Sequence, residues 1–127
     1  MELIAMVAAL SLIEYMVFSY RTGQARAKYS VEAPAVTGHP VFERYYRVQM
    51  NTLEQLIVFL PGLFLFGRYV SVPIAAILGG LYILGRLVYA VSYVSDPAKR
   101  GPGFLLSYIP MVILIVGGFL GAGDAWF

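Results

Sequence analysis

Four long apolar stretches, separated by short polar ones, dominate the pattern along this chain. An α-helix needs about 20 residues to cross the hydrocarbon core of a bilayer, and each stretch is close to that length. The pattern predicts four transmembrane helices, over about residues 3–24, 42–69, 72–95 and 103–120. The first is expected to continue as helix through Lys28. The predicted fold class is all-α, an up-down four-helix bundle in which residues 1–127 form one domain.

Proline and glycine residues mark the predicted connections between the helices. The first loop is YSVEAPAVTGHPV, the second is a tight turn around Ser71 and Pro73, and the third is DPAKRGPG. Pro61 and Pro110 lie within the second and fourth helices, where each removes a backbone hydrogen bond and is expected to kink its helix. The first apolar stretch begins with Glu2 rather than a basic segment and is too long for the core of a signal peptide, which predicts a retained helix.

Composition indicates a membrane location. Hydrophobic residues make up 60% of the chain and charged residues 13%, and the mean hydropathy is +0.76. A soluble domain carries about 25% charged residues, so this chain could not cover its apolar surface in water. The absence of cysteine excludes disulfides and thiolate ligands. With His39 as the single histidine, no histidine-based metal site is expected.

Basic residues are distributed unevenly between the two ends of the predicted bundle. Four crossings place both termini on one side, and the first and third loops on the other. Only Arg68 falls on the terminal side. The other basic residues lie in the half of the bundle that contains the two longer loops: Arg21, Arg26, Lys28, Arg44, Arg47, Arg86, Lys99 and Arg100. By the positive-inside rule, those loops are predicted to be cytoplasmic, in a bacterial inner membrane or an endoplasmic reticulum. The net charge of +2 is attributed to this topology, and no nucleic-acid binding is expected.

The second helix begins with a polar run, ERYYRVQMNTLEQL, over residues 43–56. Successive helical residues turn by about 100°, which places one set of polar side chains in a single stripe: Arg44, Arg47, Asn51, Glu54 and Gln55. Gln49 points the opposite way. A solvated helix start explains Arg44, but Asn51 and Glu54 lie too deep for that. A carboxylate at such depth needs a partner or a polar cavity.

The third helix carries a matching polar stripe, formed by Tyr82, Arg86, Tyr89, Tyr93 and Asp96. An aromatic belt at the membrane surface explains Tyr93 alone, but not a series over nearly four turns. Arg86 lies at a depth similar to that of Glu54 and Glu14. The simplest structural prediction for these residues is an ion pair between Arg86 and one of the two acids.

Topology brings the start of helix two, the end of helix three and the longer loops together at one membrane level. The arginines there outnumber the buried acids, so a ligand is expected to complete the set. Arginine suits carboxylates or phosphates, and Glu54 suits an ammonium group, which indicates a polyanionic or zwitterionic ligand. Gln49 could reach that ligand only from another copy of the chain, which predicts a homo-oligomer with sites between subunits.

Three segments, FERYYRVQMNTLE, GRLVYAVSY and DPAKRGPG, resemble the MAPEG family of membrane-associated proteins in eicosanoid and glutathione metabolism. The similarity runs from Arg26 through the fourth helix, and its specific part is the motif E-R-x-x-R-x-Q-x-N-x-x-E. The resemblance implies four helices, a homotrimer surrounded by membrane lipids, and glutathione as co-substrate between neighbouring subunits, without a metal.

The resemblance also implies roles for individual residues. Glutathione contacts from one subunit would be Arg47, Asn51, Glu54, Tyr89 and Tyr93. Arg26 and Gln49 would reach the same tripeptide from the adjacent subunit. Arg100 would be catalytic, by stabilising the glutathione thiolate. Its position beside Lys99 otherwise suggests a charge that only sets topology.

The function implied is that of a membrane-bound glutathione S-transferase, which adds the thiolate to lipophilic electrophiles such as eicosanoid-like lipids, in synthesis or detoxification. The same nucleophile would give glutathione peroxidase activity. Two departures, Gln55 where the leukotriene synthase has an aromatic residue and Ala27 where it has a second arginine, favour a broader transferase over leukotriene synthesis.

Two other functions remain open from the sequence. One is a non-catalytic lipid-binding role within the same family. The other is a small proton-coupled multidrug transporter with Glu14 as the proton carrier, although the arginine-rich stripes would repel cationic drugs.

Overall fold

Four long helices form the computed structural model, which describes all residues, 1–127. The helices are α1 (Glu2–Lys28), α2 (Pro40–Tyr69), α3 (Val72–Ser95) and α4 (Gly101–Trp126). A short 3₁₀ turn, Pro97–Lys99, precedes α4. Each long helix has the length and composition needed to cross a membrane, and there is no strand, so the predicted all-α class is confirmed. α4 extends beyond the predicted end near residue 120.

Polar side chains cap the starts of α2 and α3. His39 Nδ1 accepts a hydrogen bond from the Val41 backbone N–H at 3.1 Å, at the start of α2. Ser71 Oγ accepts one from the Ile74 N–H at 3.3 Å, at the start of α3. These contacts satisfy backbone donors that have no partner within the helix. They also fix the chain immediately before the polar run of α2 and after the second loop.

Helices α3 and α4 approach each other backbone to backbone. A Cβ added to Gly85 would lie 2.7 Å from the Leu106 carbonyl carbon, and one added to Gly103 would overlap the backbone of Tyr89. Small residues permit such close packing between membrane helices. The start of α4, with the third loop before it, is therefore held against Tyr89.

Helices α1 and α4 both pack on α2 and α3 but make little contact with each other. The core between them is apolar and aromatic. Phe59 of α2 stacks on Tyr82 of α3, with ring centroids 3.8 Å apart and an interplanar angle of 10°. Large apolar side chains such as Ile57 and Phe119 remain exposed on the outer surface of the bundle, as a lipid environment allows.

Candidate functional site

A polar cleft of about 420 Å³ lies where the start of α2 and the end of α3 meet the first loop. Arg44 joins the two helices, because its Nη1 donates to the backbone oxygens of Val94 at 3.0 Å and Ser95 at 3.4 Å. These carbonyls belong to the last turn of α3, where a cation is favoured by the helix dipole. The cleft is lined by Val36, Pro40, Glu43, Arg44, Tyr46, Arg47, Tyr93 and Pro97.

Arg47 and Glu54 form an ion pair on the outer side of α2. Arg47 Nη1 lies 3.4 Å from Glu54 Oε1, and the two side chains are 53% and 61% exposed. Glu54 is 14 residues from the start of α2, which corresponds to about 21 Å along the helix axis. A charged pair at that depth needs a polar neighbour. The pair is thus available to a ligand or to another subunit.

The two predicted tyrosines of α3 form one wall beside the cleft. Tyr89 and Tyr93 stack with centroids 5.5 Å apart; Tyr93 is half-buried and Tyr89 is buried. The guanidinium carbon of Arg86 lies 4.2 Å from the centroid of the Tyr89 ring, within the range of a cation–π interaction. Of this pair only Tyr93 lines the cleft itself.

Arg86 is completely buried and holds three helices together. Its Nη2 donates to Asn51 Oδ1 at 2.8 Å and to Thr52 Oγ1 at 3.0 Å, and its Nε donates to Thr52 Oγ1 at 3.2 Å. Its Nη1 donates to Gln55 Oε1 at 2.9 Å and to Ser107 Oγ at 3.2 Å. A guanidinium has five N–H donors, so these five hydrogen bonds leave none free.

The predicted ion pair between Arg86 and an acid is wrong. Glu54 pairs with Arg47, and no carboxylate oxygen lies within 4.0 Å of the Arg86 nitrogens. Neutral oxygens from α2 and α4 satisfy the guanidinium instead. The prediction considered only charged partners for Arg86 and therefore did not include Thr52 and Ser107. A hydroxyl in an apolar helix often indicates a hydrogen bond between helices.

Asn51 and Gln55 also belong to the Arg86 network. Gln55, which the helical stripe placed beside Glu54, turns into the core and is buried. Asn51 is half-buried at the edge of the network. Since its Oδ1 is held by Arg86, the orientation of its amide is fixed and its Nδ2 remains available to a ligand.

Gln49 and Arg26 form their hydrogen bonds outside the Arg47–Glu54 pair and the Arg86 network. Gln49 Nε2 donates to the Tyr15 hydroxyl at 3.3 Å, between α2 and α1. Arg26 Nη1 donates to the backbone oxygens of Ala35 at 2.6 Å and Val31 at 3.3 Å, which fastens the first loop. The opposite direction of Gln49 agrees with the helical geometry. A role for either residue in a neighbouring subunit's site stays a prediction.

Arg100 lies in the third loop, directly before α4. Its Nη1 donates to the Pro97 backbone oxygen at 3.3 Å, and the side chain is exposed. Pro97 lines the polar cleft, and Gly103 contacts the backbone of Tyr89. The guanidinium is thus tied to a loop that borders the cleft, and its remaining donors are free to stabilise an anion.

The protein is a small bundle of four helices, each long enough to cross a membrane. A charged cleft lies at one end of the bundle, and a buried arginine network lies next to it. The chain belongs to the MAPEG family, whose family model matches residues 4–120. The predicted resemblance is confirmed, and the protein is an integral, multi-pass membrane protein.

Three relatives illustrate the range of similarity. An uncharacterized protein of Synechocystis sp. is 50% identical over 116 residues, which cover 91% of this chain and 85% of that protein. Human microsomal glutathione S-transferase 2 is 39% identical over 124 residues, or 98% of this chain and 84% of the human protein. Bovine leukotriene C4 synthase is 35% identical over 98 residues, or 77% of this chain and 65% of the synthase.

Proposed function

We propose that this protein is a membrane-bound glutathione transferase, with glutathione as co-substrate and a lipophilic electrophile from the bilayer as second substrate. The observation that carries the proposal is the exposed Arg47–Glu54 pair beside a cleft lined by Tyr93. Glutathione has two carboxylates and one ammonium group, so it complements a cation and an anion held close together. The similarity to microsomal glutathione S-transferase 2 over 98% of this chain supports the same activity.

Each proposed contact uses an atom that the fold leaves free. Arg47 binds a glutathione carboxylate through its guanidinium, and Glu54 binds the ammonium group. Asn51 donates its Nδ2 to the peptide, while Arg86 holds its Oδ1. Tyr93 contributes its hydroxyl at the cleft wall, and Tyr89 supports the Tyr93 ring by stacking.

The site is completed by a neighbouring subunit in a homotrimer. Gln49 points away from the Arg47 side of its own chain, toward Tyr15, and Arg26 lies at the end of α1 against the first loop. A rotationally related copy can present both residues to the cleft of the next subunit. This arrangement also covers the exposed Arg47–Glu54 pair, which would otherwise face lipid. The first loop, to which Arg26 of α1 is hydrogen-bonded, and the third loop, which carries Arg100, lie on the cytoplasmic side.

Catalysis depends on the thiolate form of glutathione. A cysteine-type thiol has a pKa of about 8.5, and lowering it by about two units requires about 2.7 kcal/mol of preferential anion stabilisation. Arg100, which is hydrogen-bonded to the cleft residue Pro97, supplies a positive charge for the sulfur. The thiolate then forms a C–S bond to the electrophile, the thiol proton passes to solvent, and the displaced group leaves with its electron pair.

Peroxidase activity uses the same nucleophile. The thiolate attacks the terminal oxygen of a lipid hydroperoxide and the O–O bond breaks. The alkoxide takes up a proton from solvent and leaves as the alcohol, and glutathione becomes a sulfenic acid. A second glutathione condenses with it to give glutathione disulfide and water.

Glutathione is expected to stabilise the wild-type protein against heat but not the variant Arg47→Ala. Saturation at about 100 times the dissociation constant adds about 2.7 kcal/mol to the free energy of unfolding, and loss of the Arg47 guanidinium removes most of this affinity. The measurement is a thermal-shift titration of the detergent-solubilised protein. Arg68→Ala is the matched control, because Arg68 packs over Tyr69 at the other end of α2. Equal stabilisation of all three proteins would contradict the assignment of Arg47.

Two inactive variants are expected to complement each other if the site lies between subunits. Arg47→Ala removes a contact from one side, and Gln49→Ala removes one from the other. Co-expressed, they form mixed trimers in which some interfaces combine an intact Arg47 with an intact Gln49. Glutathione transferase activity of the mixed trimers should therefore exceed that of either variant alone. Activity no higher than the average of the two would place both residues in one subunit's site.

The two alternative functions predict different experimental results. A non-catalytic lipid-binding protein would show no turnover of a chromogenic electrophile such as 1-chloro-2,4-dinitrobenzene. A transporter that uses Glu14 would confer drug resistance in cells, and Glu14→Gln would abolish it. The buried Glu14 Oε1 has no hydrogen-bond partner, but the fully buried cation of Arg86 opposes a path for cationic drugs.

A further inference from the structure

A second cleft, apolar and open to the side of the bundle, lies between α1, α2 and α3. Its volume is about 320 Å³, at the lower end of the range of ligand pockets. Val17 and Phe18 of α1 form one wall, and Leu87 and Val91 of α3 form the other, with Val48 of α2 at the base. The cleft shares no lining residue with the polar cleft that contains Arg47.

The apolar cleft ends at a basic group. Arg21 and Tyr45 line it and also line an adjoining polar cleft of about 260 Å³, whose other walls include Gln24 and Lys28. Arg21 and Lys28 are seven residues apart on α1, so they lie on the same face, about 10 Å from each other along the axis. The two clefts thus join an apolar channel to a positively charged mouth.

No acid neutralises this mouth. The ion pairs of the chain are Met1–Glu2 and Arg47–Glu54, so neither Arg21 nor Lys28 has a carboxylate partner. Arg21 lies 5.7 Å from the centroid of the Tyr45 ring, and Lys28 lies 5.5 Å from that of Tyr29. These aromatic contacts hold the two side chains in place, and both residues remain exposed.

We propose that the adjoining clefts bind one anionic phospholipid of the surrounding bilayer. One acyl chain lies in the apolar cleft between α1 and α3, and the phosphate lies at Arg21, with Lys28 beside the rest of the headgroup. The lateral opening admits a lipid directly from the bilayer. The unpaired positive charges favour an anionic headgroup over a zwitterionic one. The acyl chain fills space that the side chains of α1 and α3 leave empty.

The test uses the full-length protein in nanodiscs made of phosphatidylglycerol and phosphatidylcholine in equal amounts. After extraction into detergent, native mass spectrometry measures which lipid each protein retains. The wild type is expected to retain phosphatidylglycerol preferentially, and Arg21→Gln is expected to reduce that preference about fivefold. Arg68→Gln, which removes the same charge at the opposite end of the bundle, should behave like the wild type.

A second variant tests the apolar part of the site with the basic residues intact. Ala90 is a half-buried lining residue of the apolar cleft, and Ala90→Phe is expected to fill the cleft and lower retention of phosphatidylglycerol. An equal preference in the wild type and Arg21→Gln would overturn the proposal. An equal loss of the preference for phosphatidylglycerol in Arg21→Gln and Arg68→Gln would also overturn it, because lipid binding would then depend on the overall charge of the protein. Displacement of the phospholipid by an equimolar amount of oleate would assign the clefts to a free fatty acid instead.

Discussion

Replacing Arg86 by leucine is expected to lower the free energy of unfolding by about 3 kcal/mol. The five hydrogen bonds of Arg86 contribute about 0.6 kcal/mol each, a typical value between membrane helices. Their loss leaves the buried side-chain oxygens of Thr52 and Gln55 without a donor. Ser107 is affected less, since its hydroxyl also donates to the Gly103 and Phe104 backbone oxygens. The measurement is equilibrium unfolding of the purified protein in mixed micelles.

Two further variants separate the network from a general effect of losing a charge. Arg68→Leu removes an exposed cation at the other end of α2 and should change stability little. Gln55→Leu introduced into Arg86→Leu removes one of the orphaned buried groups, so the double variant is expected to recover part of the lost stability. If Arg86→Leu were as stable as the wild type, the network would not hold the helices together.

Arg100→Ala is expected to slow glutathione transfer about 20-fold at pH 7, because the guanidinium is proposed to lower the thiol pKa by about two units. Without Arg100 the bound thiol returns to a pKa of about 8.5, and only a few per cent is thiolate at pH 7. As the pH rises toward 9, the thiol ionises without help from Arg100. The difference in kcat/KM between the wild type and the variant should then nearly vanish. The measurement is kcat/KM for a chromogenic electrophile between pH 6 and pH 9.5.

Lys99→Ala is the matched control for this experiment. Lys99 is adjacent to Arg100 and is also exposed, so its removal changes the charge of the loop by the same amount. Its pH profile should follow the wild type. If the 20-fold loss of kcat/KM in Arg100→Ala persisted unchanged at pH 9, Arg100 would position the substrate rather than stabilise its thiolate.

The helices could be predicted from the sequence because each apolar run is long enough to span a bilayer and the segments between the runs contain proline or glycine. The end of α4 was predicted near residue 120, before GAGDAWF, where glycine and an acid weaken helical propensity. The structure continues the helix to Trp126. Extending an existing helix costs less free energy than nucleating a new one. The two glycines after residue 120 therefore do not end α4.

The candidate site was predictable only where one helix determined the geometry. The period of α2 correctly separated Gln49 from the side that carries Arg47. The partners of Arg86 were not predictable in this way, because Ser107 comes from α4 and the register between α3 and α4 depends on close contacts at Gly85 and Gly103. Reasoning from charge alone favoured an acid, whereas uncharged oxygens were nearer.

The contact between Gly103 and the Tyr89 backbone restricts the motion of the third loop. A third loop fixed to α3 at this point cannot swing out as a hinged cover without separating two tightly packed helices. We therefore expect exchange of substrate and product to proceed through a permanently open entrance, at a pace governed by diffusion within and beside the membrane.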